Sequence, residues 1–277
     1  MCGRFVSARK RLELLEEFAA ERDAVPADRD PASTDYNVAP TKQIYAVLDN
    51  SPADEKPQRE LRLVRWGLVP SWAKDLKVGA RMINARAETV ATKPSFRSAF
   101  AKRRCLIPAD GYYEWQTTVD EETGKKAKQP FYIYRSDGGI LAFAGIYELW
   151  RDKALSDLPG EDDQDQAWLW TASIITTDAA DEIGKIHDRT PMIVAPDDWS
   201  DWLDPANRDK DLLLATMHAA PLAGSGSLTS HPVSTAVNSV RNNGPDLIAS
   251  LADASPRPRA SGPAGPDAGG GNGPSLF

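Results

Sequence analysis

The residue with the most distinctive chemistry is a cysteine at position 2. A small second side chain permits removal of the initiator methionine, so we expect the mature chain to begin at Cys2. The α-amine of such a residue has a lower pKa than a lysine amine, so more of it is a neutral nucleophile near neutral pH. That amine can attack an aldehyde to give an imine, and the adjacent thiol can then close a thiazolidine ring on the same carbon. From residue type alone, an incidental cysteine at a frayed terminus is the alternative.

Two titratable side chains are candidates for proton transfer. Glu114 follows two tyrosines and precedes a tryptophan in a predicted strand, and burial among aromatic rings raises the pKa of a carboxyl group. A salt bridge between Glu114 and an arginine is the alternative. His187 is one of three histidines, and an imidazole that titrates near neutrality can help to open a sugar hemiacetal. By type alone, a lone histidine is more often structural.

Several polar side chains are candidates for holding a sugar or a phosphate. Asn84 and Arg86 lie two residues apart, so they share one face of an extended segment. The Asn84 amide can orient a sugar or an amine, and Arg86 can hold a phosphate; a turn asparagine and a solvated arginine are the alternatives. Arg4, two residues after the cysteine, can bind a neighbouring phosphate. Asn37 lies in a loop and can close the pocket through hydrogen bonds.

Trp66 and Trp72 lie within a basic stretch, residues 59–104, which holds twelve lysines or arginines and three acidic residues. Proteins that bind single-stranded nucleic acids combine cationic grooves with aromatic side chains on which bases stack. Both tryptophans are therefore candidate DNA contacts. For Trp66 a position in the protein core is the stronger interpretation. Trp72 lies in a predicted loop and is the better candidate for stacking on a base. The whole chain has a net charge of −7, so binding to nucleic acid requires this stretch to form a local basic face.

Composition excludes several classes of protein. The 277 residues are 41% hydrophobic and 26% charged, which is ordinary for a globular protein. There is no apolar run of membrane-spanning length and no secretory signal, and two cysteines cannot form a disulfide scaffold. We therefore expect a cytoplasmic protein. The sequence has neither metal-ligand spacing nor a glycine-rich phosphate loop, so we expect no metal and no other cofactor.

The elements that must position these residues are mainly short strands. Helical spacing over residues 9–22 and alternating patterns from residue 44 onwards predict a single α+β domain over residues 1–253. Residues 131–134 and 140–150 are predicted to pair across a turn at Asp137-Gly138-Gly139. Residues 151–166 are predicted to be an exposed acidic insertion. Residues 254–277 are rich in proline, glycine and alanine, and predict a disordered tail.

Seven motifs in order along the chain identify a family. They are MCGRF (1–5), YNVAP (36–40), WGLVPSW (66–72), NARAET (84–89), RRCLIPADGYYEW (103–115), HDRTPM (187–192) and VSTAVN (233–238). With these motifs the chain resembles the SRAP (SOS response-associated peptidase) family over nearly its whole predicted domain. The resemblance implies an α+β fold with a curved, mainly antiparallel β core flanked by short helices.

The resemblance also implies an activity. SRAP proteins bind abasic sites in single-stranded DNA and form a reversible thiazolidine cross-link through the N-terminal cysteine, which shields the lesion. Junctions between single-stranded and double-stranded DNA are a further candidate partner of this chain. Carried onto this sequence, the resemblance implies that Cys2, Glu114, His187 and Asn84 are catalytic. It implies DNA contacts for Arg4, Asn37, Trp66, Trp72 and Arg86, and a monomeric protein.

Two other functions stay open at this point. In a cysteine-type peptidase or autopeptidase, Cys2 would attack a peptide bond with His187 as base, although only Met1 precedes the cysteine. A non-catalytic single-strand DNA-binding protein would need no nucleophile. The terminal Leu276-Phe277 is a weak candidate for docking on a sliding clamp, since the usual glutamine and second aromatic residue are missing.

Overall fold

A computed structural model describes residues 2–27, 34–51, 56–119, 124–151, 168–179, 181–218 and 227–252. The predicted acidic insertion and the predicted tail fall outside these residues, apart from Arg151 at the start of the insertion. The strands are β1 Phe5–Ser7, β2 Arg22–Asp23, β3 Asp35–Val38, β4 Gln43–Asp49, β5 Arg59–Trp66, β6 Asn84–Arg86, β7 Arg104–Ala109, β8 Gly111–Val119, β9 Lys126–Arg135, β10 Leu141–Arg151, β11 Trp168–Asp178, β12 Arg189–Pro191 and β13 Leu228–Pro232.

The helices are short and lie outside the sheets. The α-helices are α1 Arg11–Glu17, α2 Ala87–Val90, α3 Arg97–Lys102, α4 Asp181–Gly184, α5 Trp199–Leu203 and α6 Lys210–His218. Short 3-10 helices cover Leu76–Arg81, Pro196–Asp198, Thr235–Asn238 and Pro245–Ile248.

The larger sheet closes on itself through five strands. β11 pairs with β10, β10 with β7, β7 with β4 and β4 with β5, all antiparallel, and a parallel pairing of β5 with β11 completes the circuit. One apolar cluster draws residues from each of these strands: Ile44, Val64, Ile107, Phe143 and Ile174. Closure leaves these strands without free edges and gives the molecule a packed, barrel-like core.

A second apolar cluster joins the helices to the barrel. Phe18 of the segment after α1 stacks on Trp199 of α5, with ring centroids 4.5 Å apart. Phe100 of α3 and Trp202 of α5 are also fully buried in this cluster. Burial of such large aromatic side chains fixes the short helices, which are too short to be stable in isolation.

The second sheet has the strand order β13–β9–β8–β1–β3. The chain passes from the barrel to this sheet at Asp110, between the end of β7 and the start of β8. A side chain at Gly111 would meet the Tyr132 ring and the Ile133 carbonyl at 2.5–2.6 Å, so only glycine fits at this crossing. The predicted pairing of residues 131–134 with 140–150 is wrong. β9 pairs with β8 and β13, whereas β10 pairs with β7 and β11 in the barrel.

Candidate active site

The sheet register brings the amino-terminal residues alongside Glu114. β1 pairs antiparallel with β8, with Phe5 opposite Tyr112, and the Tyr113 amide donates to the Arg4 carbonyl at 2.9 Å. Continued by two residues, this register places Gly3 opposite Glu114. The Cys2 side chain is fully buried. Cys2 precedes β1, and the negative charge of Glu114 acts on its thiol, so the predicted nucleophile and the predicted proton-transfer residue lie close together.

Asn84 holds the backbone of the cysteine in place. β6 adds in parallel to β11, with Asn84 opposite Ile174, and its Nδ2 donates to the Cys2 carbonyl oxygen at 2.7 Å. Within the described part of the chain, the buried Oδ1 atom of Asn84 has no hydrogen-bond partner. A buried acceptor of this kind is costly unless something pairs with it. This oxygen is therefore suited to a donor on the cysteine amine or on a bound sugar.

Burial sets the proton affinities around Cys2. Burial raises the pKa of Glu114 above its ordinary value, and the charge of His187 opposes that rise. Burial also raises the pKa of the Cys2 thiol, and the negative charge of Glu114 raises it further. The phenol of Tyr112 shares this environment and hydrogen-bonds with Thr190 Oγ1 at 2.8 Å. Both the carboxyl and the thiol are thus favoured in their neutral forms.

His187 is half-buried and lies just before β12. Its Nδ1 atom accepts the Arg189 backbone N–H at 3.0 Å, and the Asp188 carboxylate is 2.9 Å from the same atom. Nδ1 cannot accept one bond and donate the other at once. In the neutral ring that accepts from Arg189, Nε2 carries the proton; in the protonated ring, Nδ1 can donate to Asp188. The ring therefore has a defined partner for Nδ1 in each protonation state.

An ion pair that the sequence analysis missed joins two segments of the site. Arg189 is 8% exposed, and its guanidinium donates to both carboxylate oxygens of Glu88, at 2.6 and 3.1 Å. This hydrogen bonding lowers the pKa of Glu88 and raises that of Arg189. Both residues lie inside motifs that carry the family resemblance, but nothing in the sequence signals that the motifs contact each other.

Asn37 and Arg4 hold the C-terminal segment. Asn37 is fully buried, and its Nδ2 donates to the carbonyls of Val237, Ser239 and Asn242 at 3.3, 3.0 and 2.9 Å. Arg4 donates through one nitrogen to Asn37 Oδ1 at 2.7 Å and to the Val237 carbonyl at 3.0 Å. The Asn37 amide is therefore engaged with the protein, and a DNA contact by Asn37 stays a prediction. A DNA contact by Arg4 stays a prediction.

The two tryptophans of the WGLVPSW motif differ in burial. Trp66 is fully buried, packs edge-on against Phe5 at 5.1 Å, and donates from its indole to the Ile83 carbonyl at 2.9 Å. Trp66 lies in the core, the stronger of its two interpretations from the sequence, and it supports both the amino-terminal strand and the residue before Asn84. Trp72 is 63% exposed, and Arg86 is exposed, so both are available to a ligand.

The described residues contain neither a candidate metal site nor a candidate membrane-spanning helix. Among those residues, no three histidine, cysteine or acidic side chains cluster as a metal site would require. Of the helices that the structure describes, none is long and apolar enough to cross a membrane.

We compared the sequence with models of known protein families to test the family membership that the seven motifs indicate. The family model for SOS response associated peptidase (SRAP) matches residues 1–240. The chain belongs to the SRAP family. The family predicted from the seven motifs is thereby confirmed.

Named SRAP relatives cover nearly all of the chain. It is 36% identical over 250 residues to the abasic site processing protein YoqW of Bacillus subtilis, covering 90% of this chain and 100% of the relative. It is 34% identical to the abasic site processing protein YedK of Escherichia coli, with 90% and 99% covered. The mouse abasic site processing protein HMCES is 31% identical, with 90% and 76% covered.

The SRAP fold is also confirmed by a solved structure. A Bacteroides thetaiotaomicron protein superposes with a TM-score of 0.71 at 25% identity, covering 90% of this chain and 99% of that chain. The α+β class with antiparallel sheets, predicted from the resemblance, agrees with the observed architecture.

Proposed function

We propose that this protein processes abasic sites in single-stranded DNA by forming a thiazolidine cross-link between Cys2 and the ring-opened sugar, and by reversing that cross-link. The observation that carries the proposal is the arrangement around Cys2, whose carbonyl is held by Asn84 and whose thiol lies within reach of the charge of Glu114. The names of its relatives point to the same lesion.

The reaction balances without an oxidant or a reductant. Once Met1 is removed, the Cys2 amine attacks the aldehyde carbon C1′ of the open sugar to give a carbinolamine. Protonation of its hydroxyl releases water and leaves a protonated imine. The thiol proton returns to the group that protonated the hydroxyl, and the sulfur adds to the same carbon, which closes the five-membered ring. The net change is loss of one water, and addition of water in the reverse order restores the aldehyde.

Glu114 is suited to the proton transfers in this sequence. Burial raises its pKa and so favours the protonated carboxyl, which can donate to the departing hydroxyl. The resulting carboxylate can accept the proton of the Cys2 thiol, which burial keeps neutral until ring closure. Protonated His187 places a positive charge near Glu114. Its proposed role is to help open the sugar hemiacetal. The unpaired Oδ1 of Asn84 would accept from the amine or from a sugar hydroxyl.

Two exposed side chains supply the proposed DNA contacts. The Trp72 ring offers a stacking surface for a base, and Arg86, which follows Asn84 on β6, offers a charge for a phosphate. Single-stranded DNA suits this arrangement, because a base must leave the duplex stack before it can stack on a protein ring.

The thiol environment favours this proposal over the peptidase. A cysteine peptidase needs a thiolate, which requires a lowered thiol pKa. Burial and the neighbouring Glu114 raise the pKa of the Cys2 thiol instead. An amine nucleophile has no such requirement, since it must only be neutral.

A cross-linking assay tests the proposal. Full-length protein lacking Met1 is incubated with an abasic single-stranded oligonucleotide and analysed on a denaturing gel. We expect a heat-resistant adduct with the wild type and with Cys105→Ala, which removes the other buried thiol, but none with Cys2→Ala or with an undamaged oligonucleotide. Absence of an adduct from the wild type, or an undiminished adduct in Cys2→Ala, would contradict it.

A further inference from the structure

The Arg189 guanidinium reaches across the site rather than into solvent. It donates to Glu88 at 2.6 and 3.1 Å, to Asp178 Oδ1 at 2.6 Å and to the Thr176 carbonyl at 2.5 Å. The Glu88 and Thr176 contacts lie on α2 and β11, outside the strand that carries Arg189. A bidentate contact between arginine and a carboxylate fixes geometry as well as charge. The side chain therefore ties β12 to both elements at once.

The backbone of the same residue orients the predicted catalytic imidazole. The Arg189 N–H donates to His187 Nδ1 at 3.0 Å, so the ring follows the position of this peptide. That peptide is in turn fixed by register, because Arg189 lies opposite Asp178 at the end of β11. Any displacement of Arg189 is thus passed directly to the ring.

The other end of the ion pair lies next to Asn84. Glu88 follows β6 by two residues, and β6 and β12 flank the same strand, since Thr176 lies opposite both Arg86 and Pro191. The ion pair therefore crosses β11 and connects the segment that holds Cys2 through Asn84 with the segment that carries His187.

From this geometry we infer that Glu88 and Arg189 are positioning residues, which together set the His187 ring relative to Asn84 and Cys2. The inference rests on the proposed function and deepens it. In this arrangement the Arg189 guanidinium acts through His187 and is not a ligand for a DNA phosphate, because its terminal nitrogens already contact two carboxylates and a carbonyl.

Three variants in the full chain test the inference: Glu88→Gln, Arg189→Lys and, as matched control, Glu148→Gln. Glu148 pairs with Arg103 at 2.6 Å, so its variant removes a comparable ion pair from β10. We expect Glu88→Gln and Arg189→Lys to slow cross-linking by about 10- to 100-fold through misplacement of the ring. Affinity for an oligonucleotide carrying an uncleavable tetrahydrofuran site, and its salt dependence, should stay within about two-fold of the wild type. Glu148→Gln should keep the wild-type rate.

A double-mutant cycle separates positioning from simple loss of stability. If Glu88 acts through His187, the variant Glu88→Gln with His187→Ala should be no slower than His187→Ala alone. The inference would be overturned if the rate losses of the two single variants multiply in the double variant. It would also be overturned if Glu148→Gln slows cross-linking as much as Glu88→Gln at an equal loss of thermal stability. A reduced salt dependence of DNA binding in Arg189→Gln, which removes the positive charge, would overturn it as well, because that result would make Arg189 a phosphate ligand.

A readout without DNA keeps the test independent of the proposed function. In nitrogen-15 NMR spectra of the full chain, we expect neutral His187 to carry its proton on Nε2 in the wild type and to show mixed tautomers in Glu88→Gln. Unchanged spectra would overturn the inference even if the wild type forms no adduct. A wild type without an adduct would itself remove the proposed function, whatever the spectra show.

Discussion

At the scale of single residues, burial gives Glu114 the protonation behaviour that its proposed role needs. Replacement by glutamine keeps the shape but removes the proton, so we expect Glu114→Gln to slow cross-linking by about 100-fold. In the wild type the rate should fall as pH rises through the elevated Glu114 pKa. In the variant this limb of the pH profile should vanish. Rates measured from pH 5 to 9 check both, and an unchanged profile would contradict the role.

The same residue makes a prediction about stability. Because the pKa of Glu114 is higher in the folded than in the unfolded chain, the wild type loses stability as pH rises through the interval between the two values. Glutamine does not titrate, so the melting temperature of Glu114→Gln relative to wild type should increase from pH 4 to pH 8. A difference that decreases over this range would mean that the folded pKa is lowered, against the account given above.

The two tryptophans should separate binding from folding. Trp72→Ala removes an exposed ring, so we expect the melting temperature to be nearly unchanged and DNA binding to weaken by about 1–3 kcal/mol. Trp66→Ala opens a cavity under β1 and should cost about 3–5 kcal/mol of unfolding free energy. Thermal melts and binding titrations on both variants check this. A large loss of stability in Trp72→Ala, or weaker DNA binding by a stable Trp66→Ala, would contradict it.

At the scale of elements, the pairing of β1 with β8 determines where the nucleophile lies. Insertion of one glycine between Cys2 and Gly3 leaves a terminal cysteine but moves it by about 3.3 Å and turns it to the other face. We expect cross-linking to fall by at least about 100-fold while the fold is kept. The same insertion in the exposed turn at Gly138 serves as control and should retain the rate. Equal rates for the two insertions would contradict the register argument.

The segment 237–242 is held to β3 by one side chain. Asn37→Ala removes three donated hydrogen bonds from a buried position, so we expect a loss of about 2–3 kcal/mol of unfolding free energy. Asn243→Ala, which removes an exposed contact to the Tyr36 amide, should cost less. Chemical denaturation of both variants checks this, and equal losses would contradict the central place of Asn37.

The strands could largely be predicted from the sequence, but their partners could not. Alternation and turn residues located the strands around residues 131–134 and 140–150, as well as the turn at Gly138, which has a φ of 73°. The pairing of these strands failed because the chain changes sheets between them, and long-range pairing leaves no local pattern. Closure of the barrel through the parallel pairing of β5 with β11 is non-local in the same way.

At the scale of the whole molecule, a net charge of −7 means that DNA binding must depend on a few local cations. Each phosphate contact on a single strand contributes about 0.7 to the slope of log affinity against log salt. We expect Arg86→Ala to reduce that slope by about this amount. Arg59→Ala should leave it unchanged, since Arg59 is engaged with the Phe18 carbonyl and Ser200. Titrations at several salt concentrations check this, and an unchanged slope in Arg86→Ala would contradict the phosphate contact.

The sequence identified most of the residues that form the site, but it predicted the role of only some of them. Chemistry alone singled out Cys2, and the family resemblance named Asn84, Glu114 and His187 beside it. A core position was the stronger interpretation of Trp66 from the sequence, whereas nothing in the YNVAP motif showed that Asn37 would be buried and bonded to the C-terminal segment. The contact of Glu88 with Arg189 depends on two distant segments that meet across β11, so it required the fold.

The intact mass of the adduct reports the chemistry of the linkage itself. Protein without Met1 is incubated with an abasic single-stranded oligonucleotide, and the mass and the number of alkylatable thiols in the denatured complex are measured. The proposal predicts the summed masses less one water, stability without a reducing agent, and one free thiol, that of Cys105. An adduct with both thiols free, or one that survives only after borohydride reduction, would contradict a thiazolidine at Cys2.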